Sequence, residues 1–209
     1  MILRILRGGA DPDDLSLLLE AVRADVEEWT PTRSGPISFQ PAYRSLGDEH
    51  EFLLVSTWPD AEAVLAKGGT ITLPRGRLGA TRGLRDPHAQ HFELMMDMSY
   101  HDPRPGEVVR LSSMALVQRR SSAFYDRVRA LWDDFLRDTG ILALHVGRRT
   151  GRDVEHAVVV SIWETEAALE ATTSGGYIGG DEMRQFYASE PVIEHFTALA
   201  VEPVTRDPE

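Results

Sequence analysis

At 209 residues, 42% hydrophobic and 26% charged, the chain has the balance of a folded globular protein. It has room for one large domain or two small ones of about 100 residues each. Its formal net charge of −11 repels phosphate backbones and argues against a nucleic-acid partner. The lack of cysteine excludes disulfides, thiolate nucleophiles and zinc-thiolate sites. No apolar run approaches the roughly 18 residues of a membrane span, and the start, Met1-Ile2-Leu3-Arg4-Ile5-Leu6-Arg7, lacks the pattern of a signal peptide. The expectation is a soluble, cytoplasmic protein with no membrane partner.

A first strand is expected over about 2–8. Asp11 as N-cap and Pro12 at the first helical position open a helix over 12–29, with Leu15, Leu18, Leu19, Val22, Val26 and Trp29 on one stripe. Strands follow at 37–46 and 51–58, then a shorter helix at 59–67. Residues 68–87 are rich in Gly, Arg and Pro and read as a long loop. Its Arg75, Arg77, Arg82 and Arg85 suit either a solvated surface or a gate for an anionic ligand. A strand at 90–98 closes the first half. His101-Asp102-Pro103-Arg104-Pro105-Gly106 reads as a hinge.

The second half runs in the same order: a strand at 107–117, a helix at 121–138, strands at 141–149 and 155–163, a helix at 164–173 and a strand at 194–204. Ser121 and Ser122 start the long helix, its stripe is Phe124, Val128, Leu131, Trp132 and Phe135, and Gly140 suits a C-cap. A further short helix is expected around Asp181 to Ala188.

The halves are copies. Val55-Ser56-Thr57-Trp58-Pro59-Asp60-Ala61-Glu62-Ala63 matches Val160-Ser161-Ile162-Trp163-Glu164-Thr165-Glu166-Ala167-Ala168. Ile2-Leu3-Arg4-Ile5 matches Val108-Val109-Arg110-Leu111, Ile37 and Arg44 match Ile141 and Arg148, and His91-Phe92 matches His195-Phe196. Four matches in one order, at nearly one offset, are the mark of a tandem duplication. The reading is α+β: two β-α-β-β-α-β domains, at 1–102 and 103–209.

On the strand that ends in Trp and runs into an acidic, Ala-rich helix, both halves resemble the antibiotic-biosynthesis-monooxygenase family, which has a ferredoxin-like fold and belongs to the dimeric α/β-barrel superfamily. The resemblance implies that the two sheets face each other and close a barrel within one molecule, an intramolecular pseudo-dimer that further homo-oligomerisation would leave intact. It implies a small aromatic or polyketide-like partner, oxidised without added cofactor, as the leading activity. A non-catalytic ligand-binding or stress-related role and a haem-binding or haem-degrading role are the alternatives, haem being the one cofactor the superfamily brings into view.

Carried over by position, the strand-end Trp of the family is Trp58 and Trp163. The Asn four residues earlier in quinone-forming members is here Leu54 and Val159, and the Tyr six residues later is Val64 and Leu169. The family's Arg has a rough counterpart in Arg184, with Arg77 and Arg82 as lesser candidates. Ser56 and Ser161 share a strand face with the two Trp residues and suit core hydroxyls or substrate contacts. His91 and His195 open the two last strands and suit structural, acid/base or ligating roles. Tyr177, in Ser174-Gly175-Gly176-Tyr177-Ile178-Gly179-Gly180, stands on a flexible connection or a lid. The candidate catalytic set is thus Trp163, Arg184, His195 and His91, and the candidate substrate contacts are Trp58, Ser56, Ser161 and Tyr177. No cluster of ligands points to a dedicated metal site.

Overall fold

The structure, a computed structural model, describes residues 1–29, 35–69, 76–81, 83–99, 104–134, 139–151, 154–173 and 176–200. By its packing the chain divides into one unit of residues 1–91 and 198–209 and another of residues 92–197. The expected hinge at His101, Asp102 and Pro103, and the residues Arg75, Arg82, Phe135, Ser174 and Gly175, lie outside the described residues.

The first unit runs β1 (Ile2–Ala10), a 3-10 turn (Pro12–Asp14), α1 (Leu15–Trp29), β2 (Ser38–Leu46), β3 (Glu49–Trp58), α2 (Ala61–Ala63), α3 (Gly76–Ala80) and the start of β4 (Arg85–Ser99). β3 is the centre of the sheet, antiparallel to β1 (Ile2 opposite Trp58) and to β2 (Ser38 opposite Thr57). The start of β4 lies on the far side of β1, so close that a Cβ at Gly8 would meet the Arg85 carbonyl oxygen at 2.9 Å. That approach requires glycine.

The second unit repeats the order with β5 (Val108–Leu116), α4 (Ser121–Asp134), β6 (Ile141–Thr150), β7 (Glu155–Trp163), α5 (Glu166–Thr173), a 3-10 helix (Gly180–Phe186) and β8 (Val192–Ala198). Its strands lie in the order β8-β5-β7-β6. β6 also pairs with β4 from Glu93 onward, with a register shift between Leu94 and Met96. β1 and β5 share one pattern of burial along their lengths, and β3 and β7 each end in a run of buried residues, so the duplication extends to solvent exposure.

Three local expectations are corrected. Asp11 stands at the N-cap with Pro12 after it, as expected, but its side chain makes no capping bond, and its carboxylate lies 3.3 Å from Arg85 instead. The helix expected over 59–67 is one α turn capped by Asp60, whose Oδ1 accepts the Ala63 N–H at 2.8 Å, followed by a π turn over Val64–Gly68. The stretch 68–87 is not one loop. It holds α3, and β4 begins at Arg85, with Pro87 near its start, where strands tolerate proline. α3 forms because the Asp25 carboxylate accepts the N–H groups of Arg77 (2.6 Å) and Leu78 (3.0 Å), donors that a helix start leaves unsatisfied.

The amphipathic stripes build the cores. Leu18, Ala21 and Val22 of α1 pack on Leu6, Phe52 and Leu54, while Trp29 meets Trp58 with ring centroids 5.7 Å apart. In the second unit Phe124, Val128, Leu131 and Trp132 of α4 pack over Leu144, Val146, Val159 and Trp163. Among the described residues no helix is long and apolar enough to cross a membrane.

Trp58 and Trp163 are the largest fully buried side chains among the described residues. Trp163→Ala is therefore expected to lower the unfolding free energy by about 3–5 kcal/mol, read from urea denaturation. A loss below about 1 kcal/mol would mean that Trp163 is not a core residue.

Candidate functional site

The site grows from one row of side chains across each sheet. Residues directly opposite in an antiparallel pair project to the same face. On β5, Arg110 stands opposite Ser161 of β7 on one side and His195 of β8 on the other. In the first unit Arg4 stands opposite Ser56 of β3. Both arginines are 3% exposed, and burial lowers each guanidinium pKa to about 10. Among the described residues, Arg110 pairs with no carboxylate. Its Nη2 donates to the Gly176 carbonyl at 2.5 Å.

Ser56 and Ser161 are used by the fold in the same way. Each hydroxyl oxygen accepts the indole N–H of the Trp two residues on, at 2.9 Å in both copies. A buried indole requires such an acceptor.

The two histidines sit beside the arginines. His91 Nε2 is buried with no hydrogen-bond partner among the described residues. Burial first, and the Arg4 charge second, hold its pKa below the ordinary imidazole value. His195, more exposed, is held down by partial burial and then by Arg110, against the opposing pull of Glu166 and Glu170. Both are thus bases kept neutral at neutral pH. His145, 2.9 Å from Asp97, projects from the other face of the sheet and belongs to no part of this row.

Each unit has a cavity on its row. In the second it is about 460 Å³, counting its open mouth. Arg110 and Ser112 of β5 form the polar part of its floor and Phe124, Val128 and Leu131 of α4 its roof. Tyr177, Ile178 and Tyr187 complete the wall. The Tyr177 and Tyr187 rings lie 5.3 Å apart, Tyr177 donates to the Glu190 carboxylate, and burial pushes the Tyr187 phenol up to about 12, Arg110 opposing it. In the first unit the cavity is about 380 Å³ and is lined by Arg4, Asp25, Trp29, Phe39, Ser56 and Trp58 among others. Burial raises the Asp25 pKa, against the two backbone N–H groups it accepts from.

Of the residues expected from sequence, Tyr177 lines the second cavity and Ser56 and Trp58 line the first. Ser161 and Trp163 are buried, but neither lines the second cavity. Arg184 stands outside the cavity as well, its side chain 58% exposed, its guanidinium 3.5 Å from Asp181 and 5.3 Å from the Tyr177 ring centroid. Arg85 is paired at the surface with Asp11 and Glu49, and the Arg77 side chain is exposed. Neither lines the two cavities described above.

Sequence reasoning passed over Arg4, Arg110, Ser112 and Tyr187. The first two carried a signal, a charged residue repeated at the same place within two apolar strands, and a buried charge is rarely without purpose. Ser112 and Tyr187 carried none. Among the described residues no group of three or more His, Asp or Glu could hold a metal ion.

No family model and no curated protein matches the sequence. Solved structures do match. A candidate monooxygenase from Fusobacterium nucleatum superposes with a TM-score of 0.69 at 9% identity, covering 96% of this chain and 92% of that one. A candidate monooxygenase from Lactobacillus acidophilus gives 0.66 at 10%, covering 95% and 92%. A haem-binding protein from Thermus thermophilus gives 0.56 at 13%, covering 96% and 92%. The fold is a ferredoxin-like α/β fold built of two β-α-β-β-α-β units, as in these structures. At such identities the likeness shows the fold alone.

The histidines generate a pH prediction. A His whose folded pKa is depressed binds its proton in the unfolded chain first, so stability is full above the unfolded value, about 6.5. It falls as pH drops from there through the folded value. The unfolding free energy should therefore rise with pH across that acid window, and His91→Gln should flatten the rise. An unchanged slope in His91→Gln would show that His91 is not held neutral.

Proposed function

We infer that this chain binds a small, largely apolar aromatic molecule bearing an acidic group, in the cavity of the second unit. The carrying observation is Arg110, a guanidinium buried in an apolar cavity with a single neutral partner among the described residues. Burying a charge without a counter-charge is costly. A ligand carboxylate or phenolate removes that cost and makes a charge-assisted hydrogen bond. Phe124, Val128 and Leu131 supply the apolar roof, and the paired rings of Tyr177 and Tyr187 offer a face for an aromatic ligand.

The cofactor-independent oxidation of phenols begins with an anion of the kind Arg110 would hold. The cavity wall, however, presents apolar Val159 where the quinone-forming enzymes have an Asn. Tight binding without oxygen uptake is the expected behaviour, so the reading is of a ligand-binding protein. Haem is the group that relatives of this fold bring into question, since those solved include the haem-binding protein above and a haem-degrading enzyme from Listeria monocytogenes. No His among the described residues lines either of these two cavities, so neither offers a histidine ligand to haem in its wall.

Titration calorimetry with 2-naphthoate is expected to give one site on the chain. Arg110→Met should weaken it about 10- to 100-fold, the worth of one charge-assisted hydrogen bond of about 1.5–3 kcal/mol. Equal affinity in Arg110→Met would sink the reading. Oxygen consumption with a phenolic ligand, abolished in the same variant, would replace it with an oxygenase, and a histidine-type Soret band on haem titration would replace it with a haem protein.

A further inference from the structure

The cavity of the second unit contains a polar group that the fold itself does not use. Ser112 stands two residues beyond Arg110 on β5, so its side chain leaves the same face of the strand. It lines the cavity and is 6% exposed. Its neighbours across the sheet are Val159 on β7 and Ile193 on β8, whose side chains cannot hydrogen-bond. Among the described residues its Oγ has no hydrogen-bond partner. The other buried hydroxyls of this unit differ, Ser161 accepting from Trp163 and Thr173 donating to the Leu169 carbonyl. A buried hydroxyl with nothing to bond destabilises a fold and calls for an explanation.

The first unit serves as an internal comparison. The residue two beyond Arg4 is Leu6, opposite Leu54, just as Ser112 is opposite Val159. Leu6 is fully buried in the apolar core. The same scaffold thus folds with an apolar side chain at this place. The hydroxyl is a property of the second cavity, not of the fold.

We propose that Ser112 sets the specificity of this cavity: its ligand carries, besides the acidic group on Arg110, a neutral oxygen that exchanges a hydrogen bond with Ser112. The ligand class is then a hydroxy- or oxo-substituted aromatic acid rather than a plain one. This rests on the reading that Arg110 holds a ligand anion. Discrimination follows because an analogue without the second oxygen leaves the buried hydroxyl unpaired, whereas the correct ligand satisfies it.

The test uses the full chain, 2-naphthoate, its 1-, 3- and 6-hydroxy derivatives, and the variant Ser112→Ala. In the unaltered protein at least one hydroxy derivative should bind about tenfold or more tightly than 2-naphthoate, a difference of about 1.4 kcal/mol. Ser112→Ala should erase that gain while leaving 2-naphthoate within about twofold. The melting temperature of ligand-free Ser112→Ala should equal or exceed that of the unaltered protein, because the substitution removes an unpaired buried hydroxyl. Equal affinity for all four probes, a gain that survives in Ser112→Ala, or a lowered melting temperature would each overturn the proposal. Failure of 2-naphthoate to bind, or its undiminished binding to Arg110→Met, would instead overturn the anion reading and this proposal with it.

Discussion

The antiparallel register of β5 on β7 is the constraint from which the site follows. With Val108 opposite Trp163 and Leu116 opposite Glu155, Arg110 must lie beside Ser161 and Ser112 beside Val159. A slip of one residue would send every one of these side chains to the other face of the sheet. The register is secured because β7 is buried from Ala157 to Trp163. A slipped pairing would therefore displace close-packed apolar groups along the whole strand. The indole-to-serine bond locks the end of the same strand, and it recurs with the same length in the first unit. The Arg row and the Trp anchor are thus features of the ancestral domain, inherited twice.

What differs between the copies lies around that common row. In the first unit the helix that covers the cavity sends Asp25 inward to hold the start of α3, and Leu6 fills the floor. In the second, the 3-10 helix and its flanks bring Met183, Tyr177 and Tyr187 to the cavity, and the floor gains Ser112. One copy has converted its covering segment into internal hydrogen bonds. Both copies keep a buried arginine on the row, and the second adds at Ser112 a buried hydroxyl with no hydrogen-bond partner among the described residues. Local rules broken without an internal gain are the places where a protein's function is to be sought.

Charge enters in two opposing ways. The chain as a whole is strongly acidic, at −11, so its long-range field repels anionic molecules and acts on their approach. Arg110 acts at contact range, inside a low-dielectric cavity where salt screens little. Whole-chain charge argues against nucleic acid as a partner but says nothing about which charge a buried cavity prefers.

The order of elements was legible in the sequence because it depends on short-range periodicity. The stripes of α1 and α4 and the apolar runs of β3 and β7 each announce which face is buried, and the repeated Val-Ser-x-Trp announces the duplication. α2 and α3 were misjudged because hydrogen bonds hold them where periodicity is silent. The Asp60 carboxylate caps one, and Asp25 reaches the other from a helix some fifty residues earlier. The candidate site was legible only in part. Tyr177 and Trp58 line cavities, while Trp163 and Arg184 stand away from the second cavity for opposite reasons, one wholly buried and one exposed. Sequence alone determined the fold class and the duplication, because these follow from patterns within one element and their repetition along the chain. Which polar side chains share a cavity was decided by the tertiary structure, because strand register and a covering segment some 65 residues away bring Arg110 to Gly176, and no local pattern encodes that meeting.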